Sequence, residues 1–529
     1  MPILISNIAL PFTAPPQEAL QQALRLLGSP QNAGASIAKR SVDARKKQDI
    51  RFVYTVQVDA PGQEASLVER MGQPNVRLNM PTPLDLQQGG VPLQSRPVVV
   101  GLGPAGLFAA LLLARQGYRP IVVERGADMQ TRTRQVAQFW KDGTLNPDSN
   151  VQFGEGGAGT FSDGKLTSRI NDSRCGYVFE ELLQHGAPQE IAWQAKPHIG
   201  TDLLRQVVQN IRTEIETLGG EVHFNTCMRQ LLRGASGQLR AVRTTAGDIE
   251  TQALVLALGH SARDTFAMLA ESGVALLSKP FSVGVRIEHL RANMERALYG
   301  AAAGHPLLPA AEYQHSWRQG EHGVYTFCMC PGGVVVPAAS EEGLLVTNGM
   351  SEHARNHANS NSALVVSVGA EDYGSGAMAG VAFQRQLERA AFIAGGGGYR
   401  APAQTAGQFL AGTSGGKWGQ VRPSYTRGVA AADLAALFPA RIGGMLREGL
   451  VRFGRKLPGF DAPDAVLTGV ESRTSSPVRI LRDDALQSPD LPGLFPCGEG
   501  AGYAGGIISA AVDGVRVAQA LMAQWKPPV

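Results

Sequence analysis

Residues 97–126 read PVVVGLGPAGLFAALLLARQGYRPIVVERG, and the fold is decided by how this stretch is parsed. Pro97 to Val100 read as a buried parallel strand and Gly101-x-Gly103-x-x-Gly106 as a turn. Ala105 to Arg115 then read as an apolar helix that Gly117 ends, Ile121 to Val123 as a second strand, and Glu124 as the close of the unit. Strand, glycine turn, helix, strand and acid, in that order, make a dinucleotide-binding βαβ unit. Gly101 permits the turn, Gly103 lets backbone approach a pyrophosphate, and Gly106 lets helix and strand pack closely. Pro104 and Ala105 open the helix, whose first N–H groups and partial positive charge favour phosphate by roughly 0.3–1 kcal/mol, up to about 2 when partly buried. Glu124 stands where a carboxylate accepts from a ribose diol, with Arg125 beside it as a further contact.

The rest of the composition is consistent with this unit and narrows the class. At 529 residues the chain holds two or three domains. A net charge of +4 is too mild to argue for nucleic acid or an anionic membrane. Glycine contributes 63 residues, about 12% against a usual value of about 7%, with no collagen-like period, so the excess belongs where backbone must approach something closely. Five scattered cysteines point to a reducing compartment rather than a disulfide framework. The N-terminal MPILISNIALPFTAPP lacks a cationic segment before its apolar run, and LFAALLLA is too short to span a bilayer. The expectation is a cytoplasmic protein with no membrane span; oligomeric state is not legible.

Residues 1–90 read as a separate unit with the order β-α-β-β-α-β, that of a ferredoxin-like α+β domain. Its strands are expected at 3–10, 36–44, 51–59 and 76–78, its helices at 17–27 and 64–71. PTPLDLQQGGVPLQSRP, residues 81–97, reads as a linker. Lys39, Arg40, Arg45, Lys46, Lys47 and Arg51 form a basic cluster. It is either a phosphate or RNA surface or a solvated face, and Asp43 and Asp49 within it favour the latter.

Beyond the central unit, Met129 to Trp140 read as a helix whose Arg132 either reaches the pyrophosphate or caps the surface. The stretch SNVQFGEGGAGTFSDGKL, 149–166, holds Gly154, Gly156, Gly157 and Gly159, a density expected where backbone presses against a flat ligand. Gly156, Gly157, Ala158, Gly159 and Thr160 are therefore cofactor candidates, with Ser162, Asp163 and Lys165 at the edge. A strand, a β-meander and the apolar strand LVLALG then complete a sheet, bringing Thr226 and Cys227 to the adenine and Gly259 to the pyrophosphate. Between 263 and 465 no second GxGxxG follows a strand; GSGAMAG at 374–380 lacks one, and this span is expected to supply a substrate domain. The final stretch, 493–521, returns a strand to the sheet, ends it at Gly498-Glu499, and aims a helix N-terminus at Gly505, Gly506 and Ile507 toward a ring with negative charge.

FGEGGAGTFSDGKL, LALGHSARDTF, KPFSVGVRIEH, FCMCPGG, VTNGMS, ESRTSSP and CGEGAGYAGGI together resemble the uncharacterised FAD-dependent dehydrogenases of bacteria and plastids, the NAD(FAD)-utilising dehydrogenases. The resemblance covers nearly the whole chain and implies bound FAD. It also implies a Rossmann-like α/β domain of glutathione-reductase type at 96–262 and 466–529, and a cap at 263–465. It brings no substrate, and leaves open whether NAD(P)H is a transient donor of hydride to the flavin.

A flavin carries redox chemistry itself, so the protein has to position a partner, tune the ring and exclude water. His198 and His289 are acid/base candidates by residue type. Glu499 and Tyr503, beside the expected ring, have the better claim, with Lys165 lining the same space. Cys328-x-Cys330 has no histidines at ligand spacing, so no metal site is expected; it is either a redox dithiol or, the favoured reading, two sulfurs packed beneath the PGG turn. The alternative class of function is a flavin-containing RNA-binding or RNA-modifying protein that uses the basic N-terminal face.

Overall fold

Buried valines build the centre. In the structure, a computed structural model that describes residues 1–80 and 82–529, Val98–Val100 is flanked by Leu254–Leu256 and Ile121–Val123. Leu494–Pro496 and Glu221–His223 complete a five-stranded sheet, every pair of which is parallel. Parallel strands covered on both faces need apolar side chains on both, and these short runs supply them. The fingerprint helix, Pro104–Arg115, is buried from Ala105 to Ala114, as a helix apolar all round must be. The return helix, Ile507–Gln524, lies across it where Gly514 faces the Ala105 backbone; a Cβ at Gly514 would collide with the Ala105 carbonyl oxygen. Met228–Arg233, Leu239–Thr244 and Gly247–Glu250 form the expected meander as a separate antiparallel sheet.

The second unit is a seven-stranded sheet in the order Ser316–Gln319, His322–Cys330, Asn359–Val368, Phe281–Leu290, Val466–Glu471, Ala401–Thr405, Val429–Ala431. Its central strand, Phe281–Leu290, is buried through nine residues, and helices Ala379–Ala394 and Ala440–Lys456 cover the sheet. Val466–Glu471 pairs with Phe281–Leu290 and Ala401–Thr405, so the chain leaves this sheet after 471 and the expected boundary at 465/466 falls too early.

The N-terminal unit has the expected β-α-β-β-α-β order, with strands Gly34–Asp43, Arg51–Asp59, Ile3–Pro11 and Val76–Leu78 side by side and antiparallel. Pro81, where the expected linker starts, lies outside the described residues. Arg40 fixes this unit to the central one. Its guanidinium sits 4.6 Å from the Phe52 ring and 4.3 Å from the Trp193 ring, and its backbone exchanges hydrogen bonds with Trp193 and Ala195. Arg45 pairs with Asp43, Arg51 pairs with Asp49, and Lys47 lies against Gly300. Only Arg40 is drawn into the molecule; Lys39, Arg45, Lys46, Lys47 and Arg51 stay exposed, with Arg45 and Arg51 balanced locally by Asp43 and Asp49.

Candidate functional site

The carboxyl ends of Val98–Val100, Leu254–Leu256 and Leu494–Pro496 meet at one crevice, the place where open α/β sheets bind ligands. Both long helices start there, the fingerprint helix after Gly103 and the return helix after Gly506, and neither start carries a side-chain cap. Their first-turn N–H groups are thus available to an anionic ligand. The glycines sort into two sets. A Cβ at Gly101 would stand 2.5 Å from the Ala257 carbonyl oxygen, one at Gly106 would strike the Gly101 carbonyl, and one at Gly498 would stand 2.6 Å from the Ala105 Cβ. A Cβ at Gly259, Gly505 or Gly506 would meet nothing within 4 Å, and one at Gly103 only the Gly157 Cα at 3.7 Å. The first set packs the fold; the second lines an open backbone cradle between two positive helix ends. A dinucleotide with a pyrophosphate and a planar ring fits that cradle.

Glu124, buried at the end of its strand, accepts from the N–H groups of Leu102 (2.8 Å), Gly126 (2.9 Å) and Gly154 (2.9 Å). It ties the fingerprint turn to the glycine loop. Arg132 is corrected from a phosphate contact to a loop builder. Fully buried, it donates to the carbonyls of Asn150, Val151, Gly154, Glu155 and Gly157, at 2.5–3.3 Å. A guanidinium has five N–H donors, so none remains for a pyrophosphate. Thr160 is likewise turned inward, its hydroxyl on the Glu155 carbonyl and against Gly156, so these two shape the loop rather than face a ligand. Gly157 touches Gly103, Ala158 opens the short 3-10 turn Ala158–Phe161, and Gly159 touches Ile507, so the loop bridges the two helix starts. At the expected adenine end, Thr226 N–H donates to the Glu124 carbonyl. Arg125 lies over Phe153 at 4.5 Å and donates to Asp264 (2.6 Å) and the Cys227 sulfur (3.1 Å). Burial pushes the Cys227 thiol up, against the lowering effect of Arg125.

Glu499 sits at the mouth of the return helix, its carboxylate 3.4 Å from the Gly506 nitrogen. Desolvation raises its pKa to about 7, opposed by the Gly506 N–H and by Lys279. Asp513, an acid on the buried face of the return helix, accepts from Gly498 N–H (2.7 Å) and pairs with Arg482. Arg482 in turn lies 3.7 Å beneath the Tyr503 ring, so Glu499 and Tyr503 are held by one buried ion pair.

Lys165 and His198 do lie together, bridged backbone to backbone, at the other end of the glycine loop. The Lys165 amine is 3.4 Å from Glu312, and His198 stacks on His353 with centroids 5.1 Å apart. Asp163 accepts both from Arg355, which also reaches Glu312 at 3.0 Å, and from Ser351. His289 is corrected outright: it is buried in the core of the seven-stranded sheet, one ring nitrogen 2.7 Å from the Phe460 carbonyl, and desolvation lowers its pKa to about 4. Tyr313 and Phe460 pack around its ring, and its strand is buried on both faces, so His289 is a core hydrogen-bonding residue and not an acid/base group.

Three groups escaped the sequence reading. Lys279 arrives beside Glu499 from the loop before Phe281–Leu290. His260 follows the open Gly259; desolvation, then Arg473 and Arg263, hold its pKa down to about 3. Arg286, fully buried, grips Glu471 with two donors and gives the others to Asn348, Asn361 and the Cys328 carbonyl. A lone arginine in the apolar run FSVGVRIEHL was the available signal for Arg286; the other two come from pairing between distant segments.

A pyrophosphate cradle between two uncapped helix ends, closed by a glycine loop, defines a dinucleotide flavoprotein. Residues 95–146 match the family described as FAD binding domain, residues 280–474 the FAD-dependent protein C-terminal domain-like family, and residues 1–59 a domain of unknown function. The chain is 50% identical over 496 residues to an uncharacterized protein of Clostridium beijerinckii, covering 93% of each, and it belongs to the same family, one of FAD-dependent proteins. Among solved structures it resembles glycine oxidase from Geobacillus kaustophilus (12% identity, 81% of this chain and 93% of that one, TM-score 0.34) and L-amino acid deaminase from Proteus vulgaris (12%, 83% and 96%, TM-score 0.34). No helix among the described residues is long and apolar enough to cross a membrane.

Proposed function

We propose that the chain is a dehydrogenase of the NAD(FAD)-utilising type, exchanging a hydride between a small organic substrate and the N5 atom of FAD. The observation that carries this reading is the cradle: two uncapped helix ends facing a groove lined by Gly103, Gly259, Gly505 and Gly506. FAD, when bound, supplies the hydride chemistry. The chain's own residues do the rest. The return helix offers its N–H groups and dipole to the ring edge where negative charge gathers on reduction. Glu499, its carboxyl raised to about 7 by desolvation, is the group that holds or releases a proton near neutral pH, at the distance of one residue from the cradle. Tyr503 walls the same space, fixed by Arg482. Lys165 and His198 stand at the far rim, where substrate enters.

The test is purification with its flavin. The expected outcome is a yellow protein with FAD released on denaturation, whose oxidised-flavin absorbance is bleached under anaerobic conditions by NADH or NADPH. FAD present but untouched by either nucleotide removes the pyridine nucleotide as donor and leaves the substrate itself in that role. A chain that folds and binds no FAD overturns the reading.

A further inference from the structure

Strand His322–Cys330 runs regularly beside Asn359–Val368 until Phe327, then slips: Phe327 faces Ala363 and Cys330 faces Asn361, so one extra residue is inserted. The bulge places Cys328 at φ 42°, a left-handed conformation that a residue with a Cβ rarely adopts and that bulges normally give to glycine. The strain is held by a specific contact: the buried Arg286 guanidinium donates to the Cys328 carbonyl at 2.8 Å. Strained backbone that the surroundings over-determine is a marker of a functional site. The two sulfurs differ. Cys330 is buried against Gly333 of the PGG turn, as packing would have it. Cys328 is not beneath that turn. Its side chain is exposed to solvent at the bulge, where a reactant can reach it. Lys165 acts electrostatically on both thiols, and Asp163 and Arg355 on Cys330. These are the residues at the end of the glycine loop, the loop whose Gly159 touches the start of the return helix.

We propose that Cys328 and Cys330 are a redox pair that exchanges two electrons with the bound FAD, and that the exposed Cys328 meets a substrate of the thiol/disulfide class. The inference rests on FAD being bound as proposed above. In the oxidising direction two S–H bonds break and one S–S bond forms; two electrons and both protons pass to FAD. Burial pushes the Cys330 thiol up to about 12, so it is protonated at neutral pH and its proton leaves with the electrons. A disulfide closed over one intervening residue is strained and therefore easily reduced again, which suits a pair that turns over rather than a structural bridge.

The test uses the holoenzyme and three readouts. Thiols counted in denaturant number all five cysteines after reduction, and three of the five after the reduced protein is reoxidised through its flavin. Anaerobic titration with dithionite takes up four electrons per bound FAD in the wild type and two in C330S or C328S. Dithiothreitol bleaches the wild-type flavin at least tenfold faster than that of either variant, while C175S behaves as wild type. FAD-loaded protein that keeps five thiols when oxidised and takes up two electrons overturns the redox pair and leaves the FAD reading intact. Protein without FAD overturns both. The thiol count needs no variant, so a serine variant that fails to fold does not decide the matter.

Discussion

Replacing Gly259 by alanine separates the two sets of glycines. Gly259 has no left-handed φ, and a Cβ there meets nothing within 4 Å. In the apoprotein the substitution therefore introduces no clash, and by narrowing the unfolded ensemble it adds about 0.4–1 kcal/mol of stability. That raises the thermal midpoint by no more than about 4 °C. In the holoenzyme the methyl stands in the cradle, where a ligand packed against backbone has no slack. Forcing one extra carbon into a filled site costs about 1–3 kcal/mol, which at 1.4 kcal/mol per decade weakens FAD binding roughly 5- to 150-fold. The assay is titration of apoprotein with FAD, followed by quenching of flavin fluorescence, beside a melt of the same apoprotein. Gly106→Ala is the contrast: its Cβ collides with the Gly101 carbonyl, so the apoprotein itself loses stability. A Gly259→Ala chain that binds FAD with wild-type affinity, or that melts as badly as Gly106→Ala, refutes the assignment of the open glycines to the cofactor.

Three further outcomes follow from particular contacts. Lysine at 132 has three donors for five carbonyls, leaving at least two buried carbonyls unpaired at about 1–3 kcal/mol each; Arg132→Lys therefore loses FAD and melts earlier, whereas Ala at the exposed Arg134 changes neither. Glu499 has its pKa raised from 4.5 to about 7, so the native state holds a proton that the unfolded chain releases, and its contribution to stability falls as pH rises from about 4.5 through 7. Glu499→Gln flattens that slope in denaturant titrations of the apoprotein and removes the limb near pH 7 from the rate of flavin reduction; an unchanged limb assigns the proton to another group. Arg40→Ala loses two cation–π contacts of about 0.5–2 kcal/mol each, and limited proteolysis then cuts the N-terminal unit free faster, while flavin content stays near wild type.

What the sequence made legible was local. The fingerprint at 97–126 needs only the order of strand, turn, helix and acid, and helix 64–71 and strand 76–78 of the N-terminal unit fall where their periodicity placed them. What it hid was long-range. Strand Val466–Glu471 follows a loop and precedes the return to the parallel sheet, and nothing in its own residues says that its partners are Phe281–Leu290 and Ala401–Thr405. Arg132 was visible as an arginine near a phosphate site, but the carbonyls that claim it lie 18 to 25 positions further along the chain. His289 carries a residue type suited to proton transfer in a strand that turns out to be buried on both faces, where desolvation leaves it neutral.

Arg132 and Arg286 share a cause. A segment that must present its backbone or a side chain to a ligand cannot also sit in a helix or a β-ladder, so its carbonyls lose their ordinary partners, and inside a protein each unpaired group is costly. Water would satisfy them, but water in the crevice competes with the ligand. A buried guanidinium solves both problems: it carries five donors in a rigid fork and brings no acceptor of its own. Arg132 gives all five to the glycine loop; Arg286 gives two to Glu471, which balances its charge, and one to the strained Cys328 carbonyl. Arg132 has no such carboxylate within hydrogen-bonding reach among the described residues, and five carbonyl dipoles take that place. The arrangement has a physical consequence. Five carbonyls on one guanidinium, with the Gly154 N–H donating to Glu124, set the shape of the glycine loop before any ligand arrives. The ordering entropy is then already lost, and binding need not supply it.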